Sequence, residues 1–117
     1  MDELRLLDTA PGIWRVTTRS GTEYWFDTTH ERWPRIWREP QGDARHSADD
    51  DRRWMKLHEV TSSLKLDAER WLLRVGDRHT TLVSDPDHRH LTPRRWRISP
   101  IASIDPVDAL PTEMEDA

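Results

Sequence analysis

The sequence predicts a mainly β fold, a small single-domain barrel or sandwich of about seven to nine short strands. Three observations carry this. Runs of β-branched and aromatic residues alternate with polar ones, as in "IWRVTT" at 13–18. Turn signals of Gly, Pro, Asp and Ser recur at roughly 8–12-residue spacing. The chain of 117 residues is only 34% hydrophobic and equally charged, yet it holds seven Trp with one Tyr and one Phe. Each buried aromatic removes about 150–250 Å² from water, so a few rings can close the core of one small domain.

Trp14, Val16 and Thr18 share one face of the first predicted strand. "RSGT" turns, with Gly21 free to take positive φ. "EYWFD" returns, with Tyr24 and Phe26 on one side and Trp25 and Asp27 on the other. "RWPRIWR" follows, and Pro34, which cannot donate to a ladder, assigns it to an edge or a bulge. "RWMKLHEV", "TSSLKLD", "RWLLRVG", "HTTLVS", "LTPRRWRIS" and "IASI" supply the later strands. One helix near 62–75 is the alternative, since Leu64, Ala68, Trp71 and Val75 fall at helical spacing behind Ser62 or Ser63. The boundaries read from composition are an N-terminal arm over 1–8, a β domain over 9–104 and a flexible acidic tail over 105–117. Within the domain, 39–51 reads as a disordered acidic loop.

The net charge of −4 conceals a division. Residues 1–8, 39–51 and 105–117 hold 13 of the 22 acids and 2 of the 18 bases. The remainder is a basic body with a net charge of +7. No cysteine is present, which excludes a disulfide framework, a cysteine-ligated zinc and a thiol nucleophile, and fits a cytoplasmic protein. No run of ten apolar residues occurs, so neither a signal peptide nor a membrane span is expected.

Arginine and tryptophan are neighbours at 14–15, 32–33, 37–38, 53–54, 70–71 and 94–97. On a strand such neighbours point to opposite faces, ring inward and cation outward. That assigns Trp14, Trp71 and Trp96 to the core. Trp33, Arg35 and Trp37 share the face opposite Ile36, and Trp25 lies opposite Tyr24 and Phe26. An outward patch of Trp25, Trp33, Arg35 and Trp37 has the composition of an interface hot spot. The plainer reading is that Trp33 and Trp37 cover the core beneath the long loop.

"DPDHRH" gathers Asp85, Asp87, His88 and His90, with His79 nearby, as a weak metal-site candidate; a charged turn is the plainer reading. Ser20, His30 and Asp27 are triad residue types with nothing in the sequence to position them. No glycine-rich phosphate loop occurs, and no cofactor or catalytic residue is assigned.

The stretch "TRSGTEYWFD" fits T-x-S-G-[ST]-x-Y-x-x-D, and "RRWRISPIASI" carries R-x-[ST]-x-x-x-x-I. In these motifs the chain resembles a group of small, uncharacterised β-rich proteins of actinobacteria and their phages. The resemblance implies a β domain over most of 13–104 and no activity. Trp25, Trp33, Trp37 and the acidic loop depart from the group's pattern.

The functional expectation is a non-enzymatic accessory module that binds a protein partner, a host or defence component, through the Trp/Arg patch. One alternative is nucleic-acid binding by the basic body through Arg15, Arg70, Arg74, Arg95 and Arg97. Another is a metal-dependent hydrolase at the 85–90 cluster. Oligomeric state is not readable from the sequence.

Overall fold

The structure, a computed structural model, describes residues 1–41, 50–62, 70–88 and 92–115. It is mainly β. The strands are β1 (Glu3–Arg5), β2 (Ile13–Thr18), β3 (Glu23–Asp27), β4 (Arg35–Glu39), β5 (Trp54–Ser62), β6 (Leu72–Arg74), β7 (His79–Ser84), β8 (Arg94–Ile98) and β9 (Ile101–Val107); a single helical turn, α1 (Thr112–Glu115), follows. Seven strands form one antiparallel sheet in the order β8-β7-β5-β4-β3-β2-β9, and β1 pairs with β6 in a second.

The motif of the first hairpin is structural at every position. Gly21 sits at φ 95°, where a side chain would be strained. Thr18 Oγ1 donates to Thr22 O at 2.9 Å and lies 3.0 Å from Ser20 Oγ, which closes the turn. Thr18, Thr22, Tyr24 and Asp27 are all buried. Arg19 N–H, at the hairpin tip, donates to Pro100 O in the connection between β8 and β9.

That connection is only Ser99–Pro100, yet β8 and β9 are opposite edges of the sheet. The sheet must therefore curl. Tyr24 on β3 and Trp96 on β8 have ring centroids 6.3 Å apart. In a flat sheet four strand spacings would separate those strands by about 19 Å. The edges are not joined by a hydrogen-bonded ladder among the described residues. The concave face holds one core, with Trp14, Val16, Tyr24, Phe26, Ile36, Met55, Val60, Val83, Trp96, Ile98, Ile101 and Ile104. Leu4 and Leu6 close it from the N-terminal side, and Leu73 joins them from β6.

Several sequence expectations are corrected here. Residues 1–8 are no separate arm, because β1 pairs with β6 and Leu4 and Leu6 join the core. The β domain does not end at 104, because β9 runs to Val107. Residues 108–115 are not a loose tail but an arm packed on the convex face. The ends of the alternative helix near 62–75 are extended: Arg70 bridges Thr61 and residues 72–74 form β6. Its centre, 63–69, lies outside the described residues, as does 42–49 of the acidic loop. The loop's flanks are pinned, Asp51 to Arg38 and Asp50 to Arg94, each at 2.5 Å. Trp71 is half-buried against the core. Its φ of 64° is strained for a bulky residue, and hydrogen bonds to Val60 O and from Leu6 N–H hold it there.

His79 is buried, and its Nε2 accepts a hydrogen bond from Arg74 N–H at 3.2 Å. Burial holds its pKa below the ordinary imidazole value, with the Arg74 charge assisting against the opposing Asp77. The unfolded chain therefore binds the proton first as pH falls. Stability should be full above about pH 6.5 and fall below it by at most about 1.4 kcal/mol per pH unit for this group. Urea midpoints between pH 7.5 and 5.5 should decline in the parent protein and decline less in His79→Gln. Equal slopes in both would remove His79 from this role.

Candidate functional site

The convex face is built by cross-strand register. Arg15, Trp25, Trp37 and Trp54 lie side by side across β2, β3, β4 and β5. The alternation read from the sequence does send Trp25 and Trp37 away from Tyr24, Phe26 and Ile36. The expected open patch is nevertheless not there. Trp25, Trp37 and Trp54 are 7%, 3% and 6% exposed, under Met114 and Leu110 of the C-terminal arm with Ile13 and Val107 beside them. Trp37 and Trp54 meet edge to face at 5.5 Å. Trp54 Nε1 donates to Met114 O at 2.7 Å. Trp25 Nε1 and Trp37 Nε1 are buried without an acceptor among the described residues. Each such orphan donor costs about 1–3 kcal/mol.

Trp33 behaves differently. It precedes β4, is half-buried, and belongs to neither apolar cluster. Its ring lies 5.1 Å from that of His30, and Lys56 Nζ is 5.2 Å from its centroid. It forms a wall shared by two clefts. One, of about 400 Å³, is bounded by His30, Arg32, Arg53 and Asp87; the other, of about 410 Å³, by Lys56, His58, Ser84 and Pro93.

Arg35 connects the two regions. Its guanidinium stacks over Trp54 at 4.1 Å, and its Nε donates to buried Asp27 at 2.8 Å. Asp27 also accepts from Thr29 N–H and Thr29 Oγ1. Ser20 is turned to Thr18, and His30 Nδ1 accepts from Arg32 N–H. The residues of the imagined triad are therefore each engaged elsewhere.

Sequence reasoning missed the floor of the second cleft. The β5 register shifts between Leu57 and Glu59, so His58 is the extra residue of a bulge. Its Nε2 lies 2.7 Å from Ser84 Oγ. Burial and then Lys56 hold the imidazole below its ordinary pKa, so it is neutral at pH 7. No carboxylate orients His58 among the described residues. Next to Ser84, Asp85 is buried and accepts from Arg53 at 2.6 Å, His88 Nδ1 at 2.8 Å and Asp87 N–H at 2.9 Å. Burial raises its pKa, but these hydrogen bonds and the Arg53 charge outweigh it and hold the carboxyl below its ordinary value.

The metal candidates do not converge. His79 lies in the core at the start of β7, whereas Asp87 and His88 follow its end; His90 is outside the described residues. No group of three His, Cys, Asp or Glu gathers among the described residues. Part of the basic body's charge is met by ion pairs, some to the acidic segments and some within the body. Arg15 faces Asp105 at 3.9 Å, Arg70 faces Glu59 at 3.1 Å, and Arg74 faces Glu3 at 3.2 Å. Arg95 and Arg97, exposed on edge strand β8, have no acidic partner among the described residues. No helix of the described residues is long and apolar enough to cross a membrane.

Replacing Trp37 by Ala should cost about 3–5 kcal/mol, the usual loss for a buried large aromatic. That is a large share of the roughly 5–15 kcal/mol holding a domain of this size. Urea unfolding checks this, and a midpoint within error of the parent's would place Trp37 in solvent.

No protein-family model, curated protein or solved structure matches the chain, so the resemblance stated for the hairpin and late-strand motifs rests on those motifs alone.

Proposed function

We propose that this is a non-enzymatic accessory module of the cytosol that binds a protein partner at the Trp33 clefts. One observation carries the reading: Trp33 is half-exposed, outside both cores, and walls two clefts rimmed by Arg32 and Lys56. An aromatic ring with a desolvated stem and cationic neighbours is the usual anchor of an interface hot spot. Arg35, stacked on Trp54, lines one of these clefts with it. The assignment of that partner to a host or defence component rests on the resemblance to actinobacterial and phage proteins.

A second reading, nucleic-acid binding, is favoured by Arg95 and Arg97, two cations on one exposed edge with no acidic partner among the described residues. Phosphate contacts would make log affinity fall steeply and linearly with log salt, whereas an interface centred on Trp33 would change little.

The experiment is capture from host lysate followed by titration of the isolated partner. Trp33→Ala should weaken binding by about 2 kcal/mol or more, close to thirtyfold, with little change in melting temperature. An unchanged affinity removes Trp33 as the anchor. A steep salt dependence that Arg95→Glu or Arg97→Glu flattens would transfer the function to nucleic acid.

A further inference from the structure

The second Trp33 cleft has a polar floor assembled from two strands. Lys56 on β5 is the register partner of Ser84 on β7, and both lie on the face opposite core residues Leu57 and Val83. The bulge in β5 adds His58 to the same floor, with Nε2 2.7 Å from Ser84 Oγ. Re-aiming a side chain toward a site is a recurrent use of bulges. Trp33 walls the cleft, and its ring lies 5.2 Å from Lys56 Nζ. Asp85 also lines the cleft, but its buried carboxylate already accepts from Arg53, His88 and Asp87 N–H. Lys56 makes no ion pair among the described residues. Residues 89–92, which join His88 to the cleft's Pro93, are Arg, His, Leu and Thr and bring no acid.

We propose that Lys56, Ser84 and His58 form a carboxylate seat beside Trp33, filled by an Asp or Glu side chain of the partner protein. The proposal rests on the reading of the Trp33 clefts as the partner site and adds the partner's charge to it. A neutral imidazole has one donor and one acceptor nitrogen. With His58 Nε2 as donor, Ser84 Oγ accepts and the hydroxyl proton turns to the cleft. An ammonium and a hydroxyl then face the two oxygens of one carboxylate, in charge-assisted hydrogen bonds. The Trp33 ring takes the apolar part of the same segment. A phosphate, with up to two charges, calls for more cations than the single Lys of this floor. The seat also confers choice. A partner with Asn or Gln at that place would cover the Lys56 ammonium without neutralising it.

The probe is hydrocinnamate, a ring with a carboxylate, compared with its neutral amide. Each is titrated into the full nitrogen-labelled chain at neutral pH and low salt, and followed by NMR. Hydrocinnamate should shift the Trp33 indole N–H and the Ser84 amide. It should bind about fivefold more tightly than the amide, the size of a partly exposed ion pair. Lys56→Gln should abolish that preference. Ser84→Ala is the second variant and should weaken the acid more than the amide, since a charged acceptor makes the stronger hydrogen bond. An acid preference that survives both variants overturns the proposal. Equal affinity for acid and amide, with both lost in Trp33→Ala, overturns the seat and leaves the Trp33 anchor standing. Absence of any shift at Trp33 with either probe at millimolar concentration overturns seat and anchor together. Tighter binding of phenyl phosphate than of hydrocinnamate would overturn the carboxylate and assign the cleft to a phosphorylated residue.

Discussion

Everything in this molecule depends on the alternation of side chains along β3 and β4. Tyr24, Phe26 and Ile36 point into the curled sheet, so Trp25 and Trp37 must point out of it. A sheet with large apolar residues on both faces needs two covers. The inner one is the sheet itself, wrapped until Tyr24 meets Trp96. The outer one is the C-terminal arm. The chain is poor in aliphatic residues, and tryptophan area compensates on both sides.

The charge pattern follows the same economy. The three acidic segments do not simply solvate the surface. Glu3 pairs with Arg74, Asp51 with Arg38, Asp50 with Arg94 and Asp105 with Arg15. Each appendage is fastened to the body by an ion pair, which offsets part of the body's positive charge. Exposed pairs such as Asp105–Arg15 contribute little energy. The buried carboxylates Asp27 and Asp85 matter more, because losing Arg35 or Arg53 would leave a desolvated charge without its counter-ion.

The sequence made the hairpin legible because its chemistry is local: Gly21 needs positive φ, and Thr18 and Ser20 close the turn within four residues. It also made legible which face each tryptophan takes, a consequence of the period of two. It did not reveal what lies over Trp25 and Trp37, because Leu110 and Met114 sit in an acidic, proline-containing stretch that reads as solvated. Nor did it reveal the pairing of β1 with β6, two three-residue strands about 70 residues apart. The meeting of His58 with Ser84 required both the bulge in β5 and a ladder that skips β6. The pattern of "RWPRIWR" puts Trp33 on a strand, whereas Pro34 delays β4 until Arg35 and leaves Trp33 before it.

The pairing of β2 with β9 has a consequence for how the chain comes to be folded. Val16 faces Ile104, so the first long strand of the sheet waits for the last. On the ribosome β2 is made early and keeps one bare edge until β9 emerges. The indoles of β3 and β4 wait longer still, until Met114 leaves the exit tunnel. Non-local closure of this kind belongs to the slow end of single-domain folding, milliseconds to seconds. For that interval the nascent chain presents an unpaired strand beside bare aromatic surface, the combination most prone to self-association. The arginines beside the aromatic residues of two of these strands, Arg15 in β2 and Arg38 in β4, then act as gatekeepers during synthesis before they act as ion-pair partners in the finished fold.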